Sequence, residues 1–399
     1  MRPLNGVTIV SLEHAIAAPL ATRHLADMGA RVIKIERPQG GDFARDYDTR
    51  VRGLASHFVW TNRSKESLTL DLAQTTGLAV LRRLIAERAD VVVQNLAPGA
   101  AARLGLSYAT LSADKPGIIV CDISGYGQDG PYKDRKAYDL LIQAEAGMLS
   151  ITGTRDTPCK AGPSIADIAA GMYAYSNILA ALLHRARTGR GQHLEISMLE
   201  ALAEWMSYPL YYTFEGAEPP PRTGASHATI YPYGPFEAGC GGTVVFGLQN
   251  EREWAAFCSI VLMRQELGGE ARFAGNQARN AERSALAAII SEVFAALTAD
   301  EIIGRLQAAN IATARVRDMA GLWGHEQLRA RGRWRQIGSP VGMLPALLPP
   351  GNWMDGEPRM DPVPALGEHN GTILAELGYV PAEIVAMRAA GIVQNAAVA

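Results

Sequence analysis

Cysteine is scarce in this chain, and its four copies, Cys121, Cys159, Cys240 and Cys258, stand far apart in 399 residues. They form neither a disulfide framework nor a metal-ligand spacing, which fits a reducing cytoplasm. An excess of either charge is also missing. With 38 Lys+Arg against 40 Asp+Glu the formal net charge is -2, so no overall field draws the chain to nucleic acid or to an anionic membrane. The amino terminus, Met1-Arg2-Pro3-Leu4-Asn5-Gly6, runs into a strand pattern without a secretory apolar region, and no apolar run of membrane-spanning length is apparent. A soluble intracellular protein is therefore expected. Internal repeats and low-complexity tracts are lacking as well, apart from an alanine-rich tail expected to fray. What remains is a 48% hydrophobic composition, enough for sizeable cores in more than one domain.

Short β-type runs alternate with helical stretches over the first half of the chain. Val7–Leu12, Arg31–Glu36, Ser67–Leu72, Asp90–Gln94, Gly117–Ser124 and His193–Ser197 are the strands, and their alternation with helices predicts an α/β fold with a parallel sheet. The first turn lacks the G-x-G-x-x-G fingerprint and carries Glu13-His14-Ala15-Ile16-Ala17-Ala18-Pro19 instead, so a dinucleotide is not expected there. Arg37 follows the second strand, where ligands of open α/β sheets lie; it suits phosphate or a pairing with Asp42. Aromatic residues up to Phe214 and the run Glu218-Pro219-Pro220-Pro221 read as a crossing between domains. The expected organisation is a large domain over 1–210, a linker over 211–228, a small α+β domain over 229–325, and a return segment over 326–399 whose helices pack on the large domain.

Chemistry points to Gly162-Pro163-Ser164-Ile165-Ala166-Asp167. Ser164 stands at an N-cap position and Asp167 three residues later, opening a long helix that ends at Gly189-Arg190-Gly191. Free backbone N–H groups and the positive helix end favour an ionised carboxylate, as an acyl-accepting nucleophile requires. The same pattern equally serves a helix cap. Small Ala166, Ala169, Ala170 and Gly171 leave room for a ligand or another backbone.

Leu12 to Pro38, Asn62-Arg63-Ser64-Lys65 through Leu72, Asn95 through Gly105, the Asp167 helix and Gly367-Glu368-His369 together resemble the family III (CaiB/BaiF-type) coenzyme A transferases. The resemblance spans nearly the whole chain. It implies a Rossmann-like large domain with a parallel sheet plus a smaller α+β domain, in an intertwined homodimer. It makes Asp167 the nucleophile, forming mixed anhydrides while CoA leaves and returns, with Asp139 as a carboxylate beside it; a helix-start role for Asp139 is the alternative. CoA contacts carry over to Ala17, Arg37, Asn95, Leu96, Arg103 and Lys136, the cations being suited to phosphate. Acyl-CoA and small carboxylic acids are the implied partners, with CoA a substrate and neither a metal nor a tightly bound cofactor. Ile16 stands where formyl-transferring members have glutamine, arguing against oxalate, and Ala73 replaces a frequent lysine. The opening motif looks most like members acting on itaconate, mesaconate or succinate, whose second carboxylate would want a partner such as His14, Arg45 or Arg63. Ile16 would line the same pocket. Arg222 to His227 is the nearest candidate for a lid. The related α-methylacyl-CoA racemases need a His before the Asp; Tyr138-Asp139 stands here, and a tyrosine with a pKa near ~10 is a poor base at neutral pH. A CoA-binding protein without turnover is the non-enzyme alternative.

Overall fold

The computed structural model describes residues 1–351 and 356–395. The tail expected to fray falls partly on 396–399, outside the described residues. Contacts divide the chain into two units: a larger one of 1–146, 161–206 and 328–399, and a smaller one of 147–160 and 207–327.

In the larger unit, β1 (Thr8–Leu12), β2 (Arg31–Glu36), β3 (Lys65–Thr69), β4 (Val91–Gln94), β5 (Ile119–Ser124) and β6 (His193–Ser197) form one sheet. Their order is β3-β2-β1-β4-β5-β6, and every pairing is parallel. Helices on both faces explain why the central strands β1, β4 and β5 are largely apolar, whereas β3 and β6 at the two edges carry more polar residues. The third strand begins and ends earlier than expected, because the chain turns at Asp71, whose carboxylate accepts the Ala73 N–H at 3.0 Å. Val10, Ile33, Leu68, Val92 and Val120 lie in one core with Ile373, Leu374, Ile384 and Met387 from the C-terminal helices Asn370–Glu376 and Pro381–Ala389. The switch in strand order falls between β1 and β4, and a crevice outside the carboxyl ends of such strands is the usual ligand site of this topology.

Helix α1 (Ala17–Asp27) follows β1 and packs against the long helix Ile165–Thr188. That helix is long and apolar enough by length and composition to cross a membrane, contrary to the reading of the sequence; in the fold its alanine-rich face is core. The buried face includes Ala166, Ala170, Ala174, Ile178 and Ala181, a stripe of i, i+3 and i+4 spacing, while Leu183 is exposed. Gly171 explains the close packing. A Cβ there would lie 2.7 Å from the Ala17 carbonyl oxygen, so the small residues accommodate another backbone. Gly189 ends the helix at φ +74°, as its position predicts.

The smaller unit holds an antiparallel sheet of β7 (Tyr233–Glu237), β8 (Thr243–Gly247) and β9 (Thr313–Arg315). Phe246, Phe257, Phe273, Phe294 and Trp254 fill its core. Thr298 and Glu301 form a capping box at the helix Ala299–Ala308.

Candidate active site

Asp167 occupies the first turn of its helix, but the capping is not what local sequence predicts. Ser164 makes no side-chain cap. Instead Asp139, first residue of the helix Asp139–Glu145, accepts the N–H groups of Ala166 at 2.8 Å and Asp167 at 3.4 Å on one oxygen. Gln143, one turn further along and fully buried, donates to the other oxygen at 2.7 Å and accepts the Ala161 N–H at 2.9 Å. Asp139 is thus a helix-start residue, a cap for the neighbouring helix, and a fixed charge beside Asp167. Gln143 was not anticipated; its one-turn spacing from Asp139 was the available signal.

The helix end therefore does not keep Asp167 ionised. Burial, followed by the charge of Asp139, pushes its carboxyl up to about 7, and the nearby backbone N–H of Ala17 pulls only partly against them. This corrects the expectation of a carboxylate stabilised by free N–H groups, which are spent on Asp139. A carboxylate poorly satisfied in its ionised form is a better nucleophile than a well-capped one, and groups perturbed in this way concentrate at functional sites. Tyr47 lies within reach of the same charges. Burial and then Asp42 and Asp167 push its hydroxyl up to about 12, so it remains a hydrogen-bond donor.

Alongside, a cavity of about 540 Å³ opens at the carboxyl ends of β1 to β4, lined by Leu12, His14, Arg37, Pro38, Leu70, Leu72, Leu96 and Leu104 among others. Apolar walls with a cation at the rim suit an adenine and its phosphates. Arg37 and Leu96, two of the residues to which the resemblance carries CoA contacts, are among those that line it. Arg37 donates to the Gly41 carbonyl at 3.1 and 3.0 Å, and the pairing with Asp42 does not form, since Asp42 bonds Lys34. Arg103 and Lys136 are exposed and do not line the cavity. Asn95 spends its amide on the loop: Oδ1 accepts the His14 N–H at 2.8 Å and Nδ2 donates to the His14 carbonyl at 2.9 Å.

The residues proposed for a second substrate carboxylate are differently employed. Arg45 pairs with Glu36 through two 2.8 Å bonds, and Arg63 pairs likewise with Asp27. Ile16 is buried. His14 faces the cavity and stacks on Phe43 with centroids 5.2 Å apart; burial keeps it below its usual range despite Asp42, so at neutral pH it offers a hydrogen bond and not a charge. The lid candidate is tied down within the smaller unit, where Arg222 donates to the Thr154 carbonyl at 2.9 Å and the Arg155 carbonyl at 2.8 Å. Among the described residues, no group of three or more His, Cys, Asp and Glu side chains comes together to hold a metal ion.

A Rossmann-type parallel sheet with a crevice at the carboxyl ends of its strands, and two adjacent carboxyl groups at the head of a helix in the same unit, suit an enzyme that acts on a nucleotide-bearing substrate. The chain belongs to CoA-transferase family III, which it matches over residues 4–370, and it is a CoA-transferase. It is 33% identical over 390 residues to a succinate–glutarate CoA-transferase of Agrobacterium fabrum, covering 94% of this chain and 96% of that one. It is 33% identical over 403 residues to a succinyl-CoA:mesaconate CoA-transferase of Haloarcula marismortui, with 95% and 97% covered. Its fold is similar to that of a CaiB/BaiF family protein from Brucella suis, at a TM-score of 0.83 and 34% identity over 94% of this chain and 99% of that one.

Proposed function

We propose that this enzyme moves CoA between short dicarboxylic acids through a mixed anhydride on Asp167. The observation that carries the reading is the part-buried Asp167 at the head of its helix beside Asp139, which accepts the Ala166 and Asp167 N–H groups. A carboxylate oxygen of Asp167 attacks the thioester carbonyl, the C–S bond breaks, and CoA leaves as thiolate with the bonding pair. The thiolate then attacks the aspartyl carbonyl, giving an aspartyl thioester and releasing the donor acid. An acceptor carboxylate repeats both steps in reverse. Every exchange conserves a proton count without metal or redox chemistry.

Dicarboxylates are favoured by the names of the relatives, with glutarate, mesaconate, succinate and itaconate the first acceptors to consider. CoA acts as substrate. The enzyme works as an intertwined homodimer in the cytoplasm, a reading supported by exposed Trp205, Tyr208, Leu210, Tyr211 and Phe214 on the isolated chain. Initial rates with succinyl-CoA as donor across C2 to C6 acids test the substrate class. C4 to C6 dicarboxylates should have the highest specificity constants, and a preference for oxalate, formate or long branched acids would reject it. Racemisation is checked in deuterated water, where wash-in at the α-carbon of 2-methylacyl-CoA at turnover rates would displace the transferase reading.

A further inference from the structure

The loop that feeds Ala17 into the site is held by groups that take no part in the transfer. Ala15 has φ +63°, a left-handed conformation that an L side chain keeps only where its surroundings impose it. Asp42 imposes it here: Oδ1 accepts the Ala15 N–H at 3.1 Å and the Ala44 N–H at 2.9 Å. The other Asp42 oxygen takes Lys34 Nζ at 2.8 Å, and both side chains are fully buried. Lys34 also reaches the Glu13 carbonyl at 3.3 Å, while Glu13 accepts from Lys65 at 2.6 Å and from Thr22 at 2.6 Å. Residues 13, 14 and 15 are thus each fixed, the middle one by Asn95, just before Ala17, whose carbonyl lies against Gly171 one turn beyond Asp167.

Burying so many charges is poor value for stability, since apolar residues of equal volume commonly do as well. Geometry is the better explanation. We propose that the Lys34–Asp42 pair is the positioning element of the active site: Asp42 holds Ala15 in its left-handed turn and so seats Ala17 against the Asp167 helix, and Lys34 ties Asp42 to Glu13. This rests on the reading of Asp167 as nucleophile. It adds two residues that touch no substrate, and it assigns a role to strand charges that the transfer chemistry leaves unused.

The test uses full-length enzyme with succinyl-CoA and the best acceptor of the screen above. Lys34→Met with Asp42→Asn keeps an oxygen for the Ala15 N–H but frees it from Lys34, and kcat should fall about fivefold, the share that Lys34 contributes by holding that oxygen in place. Lys34→Met with Asp42→Leu removes the acceptor, and kcat should fall about 100-fold with KM for acyl-CoA changed less than about threefold. Adding Ala15→Gly, which takes the left-handed turn at no steric cost, should return about tenfold of kcat. That recovery is what a purely structural role would not produce. Melting curves establish that each variant is folded; if the Leu variant is not, Asp42→Ala with Lys34→Met makes the same comparison. A folded Leu or Ala variant with wild-type kcat, or one whose loss Ala15→Gly leaves untouched, overturns the proposal. Hydroxylamine labelling of Asp167 in wild type separates the two ideas: with the label present only the positioning role fails, and without it the nucleophile reading fails first.

Discussion

Asp167→Asn asks whether the site holds a costly charge. The carboxyl shifts from 3.8 to about 7, which would amount to roughly 4 kcal/mol at about 1.36 kcal/mol per unit. Asp167 keeps partial contact with solvent, so on the order of 1–2 kcal/mol survives screening. The sign is that of a carboxyl whose folded pKa is raised. Between pH 4 and 7 the unfolded chain has released this proton while the native state retains it, so wild-type stability falls as pH rises and the full cost is present above about 7. Because Asp139 and not Asp167 accepts the helix N–H groups, the amide loses little capping. Asp167→Asn should therefore match wild type near pH 4 and exceed it by about 1–2 kcal/mol at pH 8, while transfer is abolished at every pH. Denaturant titrations of both proteins across that range provide the assay. An Asn variant less stable than wild type at pH 8, or a difference that does not change with pH, would refute the reasoning.

Asp139→Asn removes the second cause of the raised Asp167 pKa, so the acid limb of kcat/KM should move to lower pH, a displacement absent if the two carboxyls are not coupled. It should also lower kcat, since the Gln143 amide would then meet a second donor. Gly171→Ala places a methyl 2.7 Å from the Ala17 carbonyl oxygen and should cost about 1–3 kcal/mol of stability, with a drop in kcat larger than any rise in KM; an unchanged melting midpoint would contradict the packing described here.

The parallel sheet was legible because its strands must be apolar on both faces, and Val91–Gln94 and Ile119–Ser124 show that pattern without their neighbours. The Asp167 helix was legible from its terminal glycine and from the motif that places an acid in its first turn. The identity of its cap was not. Local rules point to Ser164, whereas the oxygen that caps it comes from Asp139, 28 residues before Asp167, and chain separation of that kind leaves no local trace. The small residues Ala166, Ala169, Ala170 and Gly171 were legible as room for a close neighbour, but that the neighbour is the backbone at Ala17 was not, because only the fold brings it there. Lys34 and Lys65 look like ordinary solvated charges until the strands that carry them are seen to be buried on both sides. Arg45 and Arg63 looked available for substrate because their carboxylate partners, Glu36 and Asp27, are supplied only by the fold.

The central claim is that Asp167 becomes acylated. Wild-type enzyme incubated with succinyl-CoA and hydroxylamine, then digested and analysed by mass spectrometry, should carry a hydroxamate on the peptide containing Asp167, formed when the amine attacks the aspartyl carbonyl of the anhydride or thioester. The Asn variant should carry none. A wild-type enzyme that turns over in the same buffer with Asp167 unmodified, or a folded Asn variant that still transfers CoA at a normal rate, would contradict the account.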